Sequence, residues 1–412
     1  MSAQTGGARR DRPCGGRVGR PGWMAEGGFS IVEVLVSCVI MLVVTAGVFS
    51  LLNPAQGTFQ AQPEVSDMQQ RLRVAIDSMS SDLVMAGAGT YSGAAVGSLG
   101  NYFAPILPYR EGVTNPDPPQ TFKTDTVTLM FVPSTAAQTT LSTPMPQPSA
   151  ELKVNTEPGC PVGDPLCGFY EGMQCIIFDE TGAYDQFVVT NVQESAMHLQ
   201  HNENKLNKSY SANSYITQVA SHTYYLKTDD ATQTYQLMHY DGNKTDTPIA
   251  DNVVGLRFDY FGEPEAPRLT GKPLTDLHGP WTTYGPKPPA VGVTTSNWPA
   301  GENCTFMVVN GQQVPRLADL SPGLIGLVPL TQQMLTDGPW CPDATSGTRF
   351  DADLFRVRKV RVTVRVQVAS KALRGPAGTL FSHGGTSPGG ERWIPDQEIR
   401  FDVTPRNLNL GR

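Results

Sequence analysis

Residues 29–52 read FSIVEVLVSCVIMLVVTAGVFSLL, and this run constrains the chain more than any other feature. It carries one charged side chain, Glu33. At 1.5 Å per residue it makes a helix of about 36 Å, against a hydrocarbon core of roughly 30 Å. Charge brackets it. Arg9, Arg10, Arg12, Arg17 and Arg20, set against Asp11 and Glu26, give residues 1–28 a balance of +3 within a chain of net −7. No Lys or Arg follows until Arg71. The positive-inside rule therefore leaves residues 1–28 in the cytoplasm and the remainder outside. A plain signal anchor fits this pattern. A secretory signal cut near Ala46 fits less well, because the usual apolar core is about 7–15 residues long. Arg9-Arg10 opens like a twin-arginine signal, but Asp11-Arg12-Pro13 stands where apolar residues belong.

Glu33 separates these readings. A carboxylate in an apolar helix costs on the order of 2.5–3.5 kcal/mol at the bilayer centre, and less near its edge. Cutting the chain between Gly28 and Phe29 creates an ammonium one helical turn before Glu33. That charge can pair with the carboxylate, within the chain or from a neighbouring subunit. The acid also falls in the first turn of the new helix, where the macrodipole contributes about 0.3–1 kcal/mol. A cut before the apolar run makes the acid sensible, and a cut after it does not.

The stretch Gly27-Gly28-Phe29-Ser30-Ile31-Val32-Glu33-Val34-Leu35 resembles the cleavage and methylation signal of type IV prepilins and type II secretion pseudopilins. The glycine before the cut, the phenylalanine after it and the glutamate at the fifth mature position all match. By that resemblance, a membrane aspartic prepilin peptidase cuts after Gly28 and methylates the amine of Phe29, and Glu33 registers the subunit against a neighbour's amino terminus. A leader of 28 residues is longer than many in the family, and Met24 also lies upstream of the cut.

Beyond the apolar run, Pro54 and Pro63 predict a kink or melted stretch over 53–63. Val65, Met68, Leu72, Ala75, Ile76, Met79, Leu83 and Ala86 then recur at helical spacing, an apolar stripe suited to lie on a sheet. Asp67 and Arg71 form an i,i+4 pair, and Gly87 and Gly89 mark the stop. RLRVAIDSMSSDLVMAGAG is similar to the corresponding helix end in PilW-type minor pilins.

Strands are expected at Asp125–Val132, which alternates as a half-buried strand, and at MQCIIFDE and YDQFVVTNV within 172–192. With residues 195–199, the latter two suggest a small β subdomain. Thr223–Lys227 and Thr234–Tyr240 read as a hairpin across Asp229-Asp230, and Val253–Phe261 as another strand. In Phe355–Ala369, Val alternates with Arg, Lys, Thr and Gln; its basic row is expected to solvate one side of a sheet edge. Ile399–Val403 is the last strand, before Pro405-Arg406-Asn407-Leu408. The order YYLK, YQLMHY, VVGLRFDYF, the Arg-Val strand and PRNL resembles PilW and J-type pseudopilins.

The implied fold is α+β and pilin-like: a long amino-terminal helix packed on an antiparallel sheet, with β-rich and irregular insertions. The expected organisation is a basic leader (1–28), a membrane helix (29–52) and its amphipathic continuation (53–88). A β domain (89–261) holding a small insertion at about 160–222 follows. A stretch rich in Gly, Pro and Trp (262–345) precedes the closing strands (346–412).

Cys14 leaves with the leader and Cys38 lies in the membrane helix. Cys160 and Cys167 flank a short loop, and Cys304 and Cys341 flank the Trp-bearing insertion. In an exported domain these four are disulfide candidates whose connectivity spacing alone leaves open. Cys175 alternates within a strand and reads as a buried thiol. His198 and His201 form an HxxH, a weak signal alone because a zinc site needs further ligands, and there is no CxxC or HExxH pattern. Asp241 to Asp246 lacks the glycine and terminal glutamate of an EF-hand and reads as a turn. Walker A, GxSxG and dinucleotide patterns are absent, so no catalytic constellation, cofactor or resident metal is expected. A pI near 5.4 argues against a general nucleic-acid binder.

The resemblance implies a minor pilin of a type IV pilus, at the tip or in initiation. Its partners would be the prepilin peptidase, other major and minor pilins and the inner-membrane assembly platform. The alternative is a J-type minor pseudopilin of a type II secretion system. A third class is a membrane-anchored protein whose insertions form a ligand site.

Overall fold

The computed structural model describes residues 28–89, 97–134, 137–157, 159–202, 206–271, 281–294, 298–321, 323, 325–387 and 393–409, with backbone only for 51–60. Apart from Gly28, the basic leader with Cys14 lies outside the described residues. The chain divides into two units, Met1–Phe59 and Gln60–Arg412. One helix, α1, runs over Ile31–Met85. The melted stretch expected over 53–63 is not there, and the backbone stays helical through Pro54 and Pro63. Each proline removes one hydrogen bond, and the many intact turns around it hold the helix.

In the first unit, Ile31–Ser50 is long and apolar enough to cross a membrane, and none of it is buried. In the second unit the predicted stripe is the buried face of α1: Met68, Leu72, Ala75, Met79, Leu83 and Ala86 are at most 2% exposed. Arg71 pairs with Asp67 one turn away. The helix stops because Gly87 takes φ +80°, a left-handed conformation that glycine adopts without a Cβ penalty. The Gly87 N–H then donates to Met130 O (2.9 Å), tying the helix end to a strand. The closing PRNL segment completes this end. Asn407 Nδ2 donates to Met85 O (3.1 Å), and Leu408 fills the space where a Cβ on Gly87 would stand.

The main core lies between α1 and two antiparallel sheets. The five-stranded sheet runs in the order Ile106–Leu107, Thr126–Phe131, Ala220–Asp229, Thr234–Tyr240, Asp246–Asp251. Its central hairpin pairs Tyr224 with His239 and Asp229 with Thr234. The four-stranded sheet runs Val328–Leu330, Val253–Gly262, Val357–Val366, Gln397–Val403. The stretch 262–345 thus supplies a strand to this sheet, besides the hairpin Phe306–Val309/Gln312–Pro315. A second apolar cluster, including Leu141, Ile177, Phe187, Leu199 and Ile216, holds two smaller sheets built from residues 138–218.

Two strands differ from their sequence patterns. All of Thr126–Phe131 is buried, although alternation predicts one wet face. Its polar row is covered and satisfied: Thr128 Oγ1 donates to Tyr109 O (2.6 Å) and accepts from the Glu111 N–H (3.0 Å). Val357–Val366 is an interior strand, not an edge. Val360, Val362, Val364 and Val366 are fully buried, while the basic row finds acids on neighbouring segments. Lys359 and Arg361 meet Asp402 (3.1 and 2.7 Å) and Arg365 meets Asp396 (3.0 Å), while the buried Arg358, on the valine parity at the strand's start, meets Glu263 (3.1 Å). Period-two patterning identifies a strand but is blind to what covers its polar face.

Candidate functional site

At the amino-terminal site, Gly28, Phe29 and Ser30 precede the helix and are exposed. The Ser30 N–H donates to Glu33 Oε2 (3.0 Å), and Ser30 Oγ accepts from the Val32 N–H (3.3 Å). Serine at the cap and glutamate three residues on form a capping box, which satisfies backbone donors that a helix start leaves unpaired. The S-x-x-E spacing was legible in the sequence, and it gives Glu33 a local task beside any intermolecular one. A Cβ at Gly28 would meet no atom within 4 Å. The described fold itself therefore makes no steric demand for glycine there.

The four candidate cysteines form two disulfides, Cys160–Cys167 and Cys304–Cys341, with Cα atoms 5.5 and 5.1 Å apart. Cys175 is a buried free thiol whose pKa burial raises. Cys304 and Cys341 sit fully buried in the main core and close the longer loop. Replacing both by Ala is expected to lower stability by about 2–4 kcal/mol, and replacing the Cys160–Cys167 pair by less, since the entropy removed grows with loop length. Thermal unfolding of the two double variants in non-reducing buffer checks the ranking. The HxxH histidines part company: His198 Nδ1 lies 2.8 Å from Glu151 Oε2, and His201 Nε2 donates to Ala150 O (2.8 Å). Asp241 is a turn residue, with Oδ1 accepting from the Asn243 and Thr245 N–H groups (2.9 and 3.0 Å).

A cavity of about 430 Å³ opens where the 109–119 segment meets the second cluster, lined among others by Glu111, Asp117, Asp185, Asn207 and Arg349. Burial pushes the Glu111 carboxyl up to about 8, against a backbone hydrogen bond from Gly112 and with the charge of Asp185 adding to the rise. Burial also lifts Asp185 to about 6, although Asn207 N–H (3.0 Å) and Tyr210 OH (2.9 Å) donate to it. At neutral pH Glu111 is thus held mainly as a neutral acid, able to donate a hydrogen bond.

A second polar cluster lies where the last turn of α1 crosses the five-stranded sheet. His222 Nδ1 is 2.6 Å from Asp82 Oδ2, and Tyr224 OH donates to the same oxygen at 2.6 Å. Ser78 Oγ stands 2.9 Å from Tyr224 OH. The His239 ring meets that of His222 edge-on, with centroids 4.6 Å apart. Strand pairing explains the convergence: Tyr224 sits directly opposite His239, and His222 is two residues along on the same face. Burial works to raise the Asp82 pKa, but the hydrogen bond and charge of His222, with the Tyr224 hydrogen bond, outweigh it and hold the carboxyl below its ordinary value. Burial, then the His222 charge, press the His239 pKa down. Sequence reading missed this cluster because Asp82 lies 140 residues from His222, and only the helix–sheet packing brings them together.

No protein-family model, curated protein or solved structure matches this chain. Its class is therefore read from its own residues: an α+β protein with one amino-terminal apolar helix and antiparallel sheets.

Proposed function

We propose that the chain is a minor pilin of a type IV pilus, made as a prepilin, cut between Gly28 and Phe29 and methylated on Phe29. The observation that carries this reading is a Gly-Phe junction, with Glu33 five residues into the mature chain, at the head of an unburied apolar helix. The free surroundings of Gly28 support it, since a glycine with no steric role in the fold suits a recognition site for a processing peptidase. The packing of α1 residues 68–86 against an antiparallel sheet agrees with a pilin-like arrangement. In this reading the apolar helix holds the subunit in the inner membrane, leader in the cytoplasm and sheets outside, and then enters a helical filament core. Major and minor pilins and the inner-membrane assembly platform are the partners. Bulky insertions suit a tip or initiating position, because bulk at every shaft position obstructs packing.

Mass spectrometry of the mature amino terminus tests the proposal. The expected result is a chain starting at N-methylated Phe29; an intact leader, or a start near residue 47, overturns it. Glu33→Leu is expected to be processed normally yet to enter filaments poorly, and normal incorporation would remove the registration role of the acid. A deletion strain that loses enzyme secretion but keeps twitching would instead assign the chain to a type II secretion pseudopilus.

A further inference from the structure

We propose that Asp82, His222 and His239 form a binding site for a single borderline divalent cation of the Zn²⁺ class, which clamps the last turn of α1 to the central hairpin. The inference does not rest on the pilin reading. Each of the three residues offers one ligand atom, and these atoms all lie within 4.8 Å of one another. In a tetrahedral zinc site with bonds of about 2.0–2.1 Å, neighbouring donors stand about 3.3 Å apart. His222 Nδ1 and Asp82 Oδ2 stand 2.6 Å apart, inside that spacing, and the His239 ligand atom lies within 4.8 Å of both, outside it by at most about 1.5 Å.

Three further features favour a cation over a self-sufficient ion pair. The His239 imidazole makes no hydrogen bond among the described residues, and one of its ring nitrogens lies within 4.8 Å of the Asp82 and His222 ligand atoms. The last turn of α1, which contains Asp82, has no basic residue to answer the negative end of the helix. Tyr224 OH, backed by Ser78 Oγ, already fixes the carboxylate from outside the ligand set, as outer hydrogen bonds do around metal ligands. Two imidazoles and one carboxylate select Zn²⁺, or its first-row neighbours, over Ca²⁺ and Mg²⁺, which take all-oxygen shells. The site is partly buried, with side chains 28% (His222) and 15% (Asp82) accessible, so a water can take the fourth position.

The test uses the full chain in detergent micelles, stripped with chelator and titrated with ZnCl₂ by calorimetry and with CoCl₂ by visible absorption. The expected result is one saturable ion per chain, a tetrahedral Co²⁺ spectrum without thiolate charge-transfer bands, and a rise in melting temperature with Zn²⁺. Asp82→Asn and His239→Gln should each weaken binding about tenfold or more, and Tyr224→Phe by a similar factor with all three ligands retained. His198→Gln should leave affinity unchanged. Absence of saturable binding by the native chain overturns the proposal. So does full affinity in His239→Gln, loss of affinity in His198→Gln, or a thiolate spectrum pointing to Cys175. Because the native chain and Tyr224→Phe keep all three ligands, a folding failure in another variant does not shield the idea.

Discussion

Arg356→Met is expected to destabilise the second unit by about 3–5 kcal/mol, the range found when one partner of a buried ion pair is removed. Arg356 is among the largest fully buried side chains. Its Nε donates to Asp353 Oδ1, its Nη1 to the carbonyls of Glu263 (3.2 Å) and Glu265 (2.9 Å), and its Nη2 to Ala318 O. One guanidinium therefore anchors both the start and the middle of the 262–345 stretch to the segment leading into the Val357–Val366 strand. Methionine keeps the stem and its packing but removes the donor that the guanidinium offers to these carbonyls and leaves Asp353 without its ion-pair partner. Burial already raises the Asp353 pKa despite Arg356, so the orphaned acid should take up a proton. Thermal unfolding followed by tryptophan fluorescence checks the loss. Asp353→Asn added to Arg356→Met should recover part of it, because the double variant has no charge left to bury. A loss no larger than that of a surface substitution, within about 0.5 kcal/mol, would show that the guanidinium does not tie the segments together.

The second large effect is alkaline. Glu111 is raised to about 8 and Asp351 to about 7, in both cases chiefly by burial. Their folded values lie above their unfolded ones, so between roughly pH 4 and 8 these two groups hold more protons in the folded chain than in the unfolded one. Their contribution to stability then falls as pH rises through that window. The contribution of these groups is complete below their ordinary carboxyl range and is lost as pH passes about 7 to 8. For Glu111 alone, the shift corresponds to a loss on the order of 3–5 kcal/mol. Asp82 works in the opposite direction, since its lowered pKa makes its contribution disappear only in acid. Melting temperatures of the native chain should therefore decline from pH 6 to pH 9. Glu111→Gln, which keeps the shape and removes the ionisation, should melt higher than the native chain at pH 9 and flatten the decline. Parallel profiles for the two proteins would show that Glu111 does not titrate in this window.

Local covalent pattern and periodicity determined a good part of this molecule. The apolar run with one acid determines a helix long and apolar enough to cross a membrane. The 3.6-residue stripe from Met68 to Ala86 names the buried face of α1, because burial follows the helical repeat. Period-two alternation names the hairpin and the Val357–Val366 strand, while the register that sets Tyr224 opposite His239 is seen only in the structure.

What covers each surface was decided only by the tertiary structure. Alternation in Thr126–Phe131 cannot say that a loop at Tyr109–Glu111 buries its threonines, and the basic row beside Val360 cannot name Asp402 as its partner. The same holds for the buried Arg356, the neutralised Glu111, and the meeting of Asp82 with two histidines more than a hundred residues away. Periodicity encodes which side of an element faces inward, through interactions a few residues apart. Desolvation and pairing depend on chain segments distant in sequence, and only packing sets those distances.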